Sequence, residues 1–160
     1  MPMKKIITVE FFADSKKWPR RMPRIKEISS KTIKAMTKYF DNDNSINLNL
    51  ILSDKKRVKK LNAKFKNKHE DTDVLTFVTQ TSNKNIGKYI YCDIFFSIDT
   101  IEEYIKNKKI TLYDHYNHLL IHSILHINGY DHKNLTQFNK MKKEEIKIMK
   151  KFGLKDPYIN

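Results

Sequence analysis

Residues 122–132 read His-Ser-Ile-Leu-His-Ile-Asn-Gly-Tyr-Asp-His, three imidazoles in eleven residues. His122 and His126 are four apart, the spacing that stacks two side chains one turn apart on one face of a helix. Gly129 stands where a left-handed residue can close that helix and turn the chain. His132, three residues further on, can then swing back toward the other two. Three neutral imidazoles with a fourth position open form the ligand set of a catalytic zinc site, whereas structural zinc normally has four protein ligands. The spacing predicts one divalent ion, zinc by preference, held by His122, His126 and His132.

Zinc peptidases of the metzincin type share the spacing H-x-x-x-H-x-x-G-x-x-H, but a glutamate follows their first histidine and serves as general base. Here that position is Ser123, which cannot act as that base unaided. A metallopeptidase-like hydrolase is therefore the weaker alternative. A metal centre can also activate water toward a phosphodiester.

The helix carrying the pair extends from Thr111 to Asn128. At about 100° per residue, His115, His118, His122 and His126 fall within an arc of roughly 80°. Most of the remaining circumference is apolar, so the helix is buried nearly all round. Imidazoles in such a place need partners for both ring nitrogens. His115 and His118 lie two turns and one turn before His122; they are expected to line the cleft wall rather than bind metal, with His118 a candidate for substrate contact in catalysis. Glu145, close to the apolar stripe of the last helix, needs either a basic partner or a histidine to orient. Asp131 is open to two roles: orienting its neighbour or capping the next helix.

The elements that must position these residues come from hydrophobic period. Strands are expected at 6–12, around Leu48, Leu50 and Leu52, at 73–78, and from Tyr89 after a polar stretch holding Gly87. Helices are expected at 25–40, after Ser53 or Asp54 (apolar positions Val58, Leu61 and Phe65), after Ser97 (Ile98, Ile101, Tyr104 and Ile105 inward), at 111–128, and at about 134–152. Strands in the first two thirds and helices afterwards predict a single α+β domain over 1–160, with a mixed four-stranded sheet and about five helices.

Lys and Arg number 32 against 18 Asp and Glu, a formal charge of +14. That field favours polyanions such as RNA. With 28 Lys and only 4 Arg, compositional bias is an equally simple source of the charge. Lys55, Lys56, Arg57 and Lys59 open a helix, where cations oppose the macrodipole and a bound phosphate would relieve them; Lys66 and Lys68 follow. In "KKWPRRMPR" (16–24), Trp18 is either the anchor of a surface loop or a base-stacking platform. Cys92 is the single cysteine, which excludes an internal disulfide framework and a multi-Cys zinc cage; it reads as a small buried residue. No apolar run approaches the roughly 20 residues of a membrane span, and Glu10 and Asp14 interrupt the N-terminal apolar stretch, so no signal peptide is expected. These features predict a cytoplasmic protein without membrane or disulfide-linked partners.

"HSILHINGYDH" resembles the H-G-x-L-H-L-x-G-Y-D-H signature of the bacterial rRNA maturation factor YbeY, a family of zinc-dependent endoribonucleases. "LNAKFKNKHEDTDVLTF" (61–77) is similar to that family's L-N-x-x-Y-R-x-K-x-x-P-T-D-V-L-S-F, and "YCDIFFS" (91–97) to its L-G-D-I-x-I-S strand. Met141, Glu145 and "FGLKDPY" (152–158) match its C-terminal part. The resemblance covers most of the chain from about residue 48; the first 45 residues match only in character. It implies a zincin-like fold with zinc on His122, His126 and His132. It also implies single-strand-specific cleavage of RNA, maturation of the small-subunit rRNA 3′ end, ribosome quality control, and the small ribosomal subunit as partner. The family's Arg, important for activity, aligns with Lys66, which keeps the charge but loses the planar fork. The family's Gly after the first histidine is Ser123. A non-catalytic, metal-stabilised ribosome-binding module is a further alternative.

Overall fold

Alternating apolar residues build the sheet. The computed structural model describes residues 6–41, 44–83 and 87–158. Strands β1 (Ile6–Ala13), β2 (Asn44–Ser53), β3 (Val74–Asn83) and β4 (Gly87–Ser97) form one four-stranded sheet in the order β1-β2-β4-β3. β1 and β4 run parallel to β2, and β3 runs antiparallel to β4 on the outer edge. On β2 every second residue from Ile46 to Leu52 is buried. Leu48, Leu50 and Leu52 lie opposite Cys92, Ile94 and Phe96, so a single face of the sheet carries the main core.

Among the described residues six α-helices complete the fold: α1 (Lys17–Arg21), α2 (Ile25–Ala35), α3 (Lys55–Lys66), α4 (Ile98–Ile105), α5 (Leu112–Ile127) and α6 (Leu135–Lys151). α5 packs against α2, α4, α6 and β3. Its Tyr116, Leu120, Ile121, Ile124 and Leu125 are fully buried, in keeping with an apolar circumference. Thr111 starts α5 by accepting the Asp114 N–H at 3.1 Å. Gly129, at φ +95°, ends it: the Tyr130 N–H turns back to the Leu125 carbonyl at 3.1 Å, a left-handed stop that glycine supplies without strain. α3 lies on the opposite face of the sheet, where Val58 packs with Ile51, Leu75 and Phe95.

The α+β class, mixed sheet and single domain follow the sequence; several details differ. The helix expected over 25–40 stops at Ala35, and a 3₁₀ turn (Thr37–Tyr39) follows. The expected "about five" helices are six, because residues 17–21 form α1. Trp18 in α1 is fully buried, with its indole N–H on the Ser53 carbonyl at 2.7 Å and its ring edge-on to Tyr116 at 5.9 Å. Base stacking by Trp18 is thereby excluded; it is a core anchor. Phe65 and Tyr104, expected inward, are 57% and 42% exposed. Part of the polar stretch before Gly87, and residues 42–43 of the break after Phe40, lie outside the described residues. Cys92 is buried, and burial, with Asp93 beside it, pushes its thiol up to about 12. Among the described residues no helix is long and apolar enough to cross a membrane.

Candidate active site

α5 and the turn after it carry the histidines. The His132 ring lies 5.6 Å from the His122 ring and 6.0 Å from the His126 ring, centroid to centroid. The structure thus brings His132 beside both helix histidines, although among the described residues no group of three or more His, Cys, Asp or Glu is arranged so that it could hold a metal ion. Asp131 accepts the His132 backbone N–H at 2.8 Å, which fixes the turn that returns His132. It does not cap α6; Asn134 does, accepting from the Gln137 N–H at 2.9 Å.

Which ring nitrogen is tied up decides what each histidine can do. His122 Nδ1 bonds Glu145 Oε1, and His126 Nδ1 bonds the Tyr130 carbonyl at 3.0 Å. Both partners are acceptors, so both Nδ1 atoms carry the proton, and in the neutral rings both Nε2 atoms keep a free lone pair. This is the outer arrangement by which metal-binding histidines are oriented. His118 and His115 are anchored the other way round. His118 Nε2 bonds Glu145 Oε2 at 3.0 Å, and His115 Nε2 bonds Asp73 Oδ2 at 3.1 Å while its ring stacks on Tyr104.

Glu145 is fully buried and resolves the choice left open by the sequence. It holds two histidines and also accepts from the Tyr158 hydroxyl. Burial pushes its carboxyl up; the hydrogen bonds from His118, His122 and Tyr158 outweigh that and hold it at about 2. Burial, with Glu145 adding, pushes the Tyr158 phenol above its usual range, so it stays a donor. Tyr158 was missed as a functional residue; its only trace in the sequence is its place in the "FGLKDPY" block.

A cleft of about 300 Å³ opens beside the three histidines, between α5, β3 and the end of α3. Lys66, Lys68, Thr76 and Ser123 line it. Asn67, at φ 52°, closes α3 in a left-handed turn, and the Lys68 N–H returns to the Asn62 carbonyl at 3.2 Å. That turn brings both lysines to the cleft. Ser123 is buried, and among the described residues its hydroxyl has no hydrogen-bond partner.

The cations at the start of α3 are placed differently. Lys55 pairs with Asp71 at 3.3 Å and Glu103 at 3.0 Å; Lys59 reaches Asp71 at 3.8 Å; Arg57 pairs with Asp14 and lies over Phe95. Lys56 is exposed. The helix end is satisfied by protein carboxylates: Asp54 accepts the Arg57 N–H at 2.9 Å and Asp99 the Lys55 N–H at 3.2 Å. The opposition between these cations and the macrodipole is thus relieved without a phosphate. Of the basic residues singled out, only Lys66 and Lys68 line the histidine cleft.

Residues 12–153 match the family model described as endoribonuclease YbeY. An endoribonuclease YbeY of Buchnera aphidicola is 39% identical over 106 residues, covering 66% of this chain and 68% of that one. One of Ehrlichia chaffeensis is 34% identical over 113 residues, 70% and 71% of the two chains. One of Bartonella henselae is 27% identical over 160 residues, 96% and 98%. The family-model match spans β3, β4 and the histidine signature. The chain therefore belongs to the endoribonuclease YbeY family.

Proposed function

We propose that this protein is a metal-dependent endoribonuclease that cleaves single-stranded RNA, with the 3′ end of small-subunit rRNA as its substrate and the ribosome as its partner in the cytoplasm. The observation that carries the reading is the pair of Nδ1 bonds, Glu145 to His122 and the Tyr130 carbonyl to His126, which leaves two Nε2 lone pairs beside Lys66 and Lys68. Family membership and the +14 charge support the RNA substrate.

The donor set suits a borderline-soft divalent cation such as zinc. His122, His126 and His132 would hold the ion, which would supply Lewis acidity next to a substrate phosphate. The chain's own residues do the rest. Glu145 and the Tyr130 carbonyl hold protons at the two Nδ1 atoms and so select, for the neutral rings, the tautomer whose lone pair is on Nε2. Lys66 and Lys68 place two ammonium groups where a phosphate would enter. Ser123, not a glutamate, follows His122, so the general base of the zinc peptidases is missing from that position.

The test is cleavage by the purified protein of an unpaired oligoribonucleotide and of the same strand in a duplex. Cutting of the unpaired strand alone, lost on chelation and restored by zinc, is expected. RNA binding without cleavage at any metal concentration would replace this reading with that of a ribosome-binding module. In cells, loss of the protein should lead to small-subunit rRNA with an unprocessed 3′ end.

A further inference from the structure

The apolar stripe of α3 does not end under the sheet. Val58 is fully buried and Leu61 half-buried, but Phe65, one turn further on, is 57% exposed. A lone exposed phenylalanine would call for no explanation. Phe65 is not alone. Its ring stands edge-to-face with Phe77 at 5.6 Å, and Phe77 in turn meets Phe95 at 5.9 Å. Lys64 Nζ lies 5.1 Å over the Phe65 ring, and Lys66 Nζ lies 5.2 Å over the Phe77 ring. Lys66 also lines the histidine cleft, as do Leu75 and Thr76 of β3. Phe77 is one and two residues beyond them, about 3 to 7 Å along the strand. An aromatic step supported from beneath and ringed by lysines thus stands at the rim of the cleft.

We infer that Phe65 is a stacking platform for an unpaired base of the RNA, adjacent to the phosphate held in the cleft. This inference rests on the proposed endoribonuclease function and specifies how the unpaired strand is recognised. Every base has a π-face, so stacking on an aromatic ring is tolerant of sequence, but it requires the base to be free of a partner strand. Lysines around the ring complement the phosphates on either side of that base. Lys64, on a flexible four-carbon stem, can leave the ring face and follow the phosphate when the base arrives. Phe77 is fixed between Phe65 and Phe95, so the platform is preorganised.

The experiment uses the full-length, zinc-loaded protein and a set of short oligoribonucleotides, each with one abasic position stepped along the sequence. With the parent protein, kcat/KM should fall roughly 5- to 150-fold at one position next to the cut, as loss of one stacked base requires, and little elsewhere. Phe65→Leu keeps an apolar surface without a π-face. It should lose the same factor on intact RNA and be indifferent to the abasic position, whereas Phe65→Trp should keep both rate and sensitivity. A flat abasic profile for the parent overturns the inference even if no variant folds. An unchanged profile in Phe65→Leu overturns it too, and leaves the endoribonuclease reading intact. If the parent cuts no single-stranded RNA at all, the functional reading fails and this inference falls with it.

Discussion

Two pairs of histidines share helix α5 and are wired in opposite senses. His115 and His118 are held through Nε2, by Asp73 and Glu145. His122 and His126 are held through Nδ1, by Glu145 and the Tyr130 carbonyl. The residue type, helix and arc are the same, yet only the second pair keeps Nε2 free. Which nitrogen an imidazole can offer a cation is therefore set by the acceptor that chooses its tautomer. Glu145 joins the two pairs, because one oxygen faces each.

The hardest test of this contrast is loss of one histidine from each pair. His126→Ala should lower zinc affinity more than the roughly 10- to 100-fold typical of losing an outer partner, with cleavage falling alongside. Elemental analysis of the purified variant checks it; full zinc occupancy would end the assignment. His118→Ala should keep zinc at one ion per chain. Metal-edge absorption that counts four or five imidazoles in the parent would erase the contrast.

Glu145→Gln comes next. A carboxamide has one acceptor oxygen, so it cannot serve His118, His122 and Tyr158 together. Zinc affinity should drop about 10- to 100-fold, and the fold should lose about 1–3 kcal/mol from donors left unpaired in the interior. Denaturant unfolding of zinc-free protein separates the second effect from the first. Tyr158→Phe should be milder, since it removes one of three donors and leaves both histidines satisfied.

The difference between the histidine pairs was only half legible in the sequence. Spacing placed His122, His126 and His132 together, and the apolar circumference of α5 placed it in the core. The tautomers depend on Glu145, Asp73 and a backbone carbonyl, and no local pattern links His115 to a residue 42 positions earlier. Trp18 is the anchor its sequence context allowed, but on a short helix rather than a loop: five residues are too few to show a helical period, and Pro19 beside it reads as loop. Phe65 was misread because period names a face of α3 but not where the covering sheet ends. The lysines that open α3 looked free because a run of charge says nothing of Asp71, Asp99 and Glu103 waiting across the fold. That β2 is a strand, by contrast, followed from the alternation of Leu48, Leu50 and Leu52, where a one-residue slip would expose a row of leucines.

The two ends of α3 extend the same lesson to charge and give the smallest effect. Lys66 lines the cleft, whereas Lys55 is bound to Asp71 and Glu103. If Lys66 neutralises one RNA phosphate, Lys66→Ala should reduce the slope of log affinity against log salt by about 0.7, the value per contact on a single strand, and lower cleavage. Lys66→Arg should preserve cleavage or raise it, because a guanidinium can hold a phosphate through two bonds. Lys55→Ala should leave slope and cleavage unchanged. It should instead lower stability only slightly, because exposed ion pairs contribute little. Binding and cleavage at several salt concentrations, with unfolding measured beside them, read both ends at once. A lower slope in Lys55→Ala would mean that its carboxylate partners give way to RNA. An unchanged slope in Lys66→Ala would move the phosphate path elsewhere, because the charge nearest the histidines would then be making no contact with the substrate.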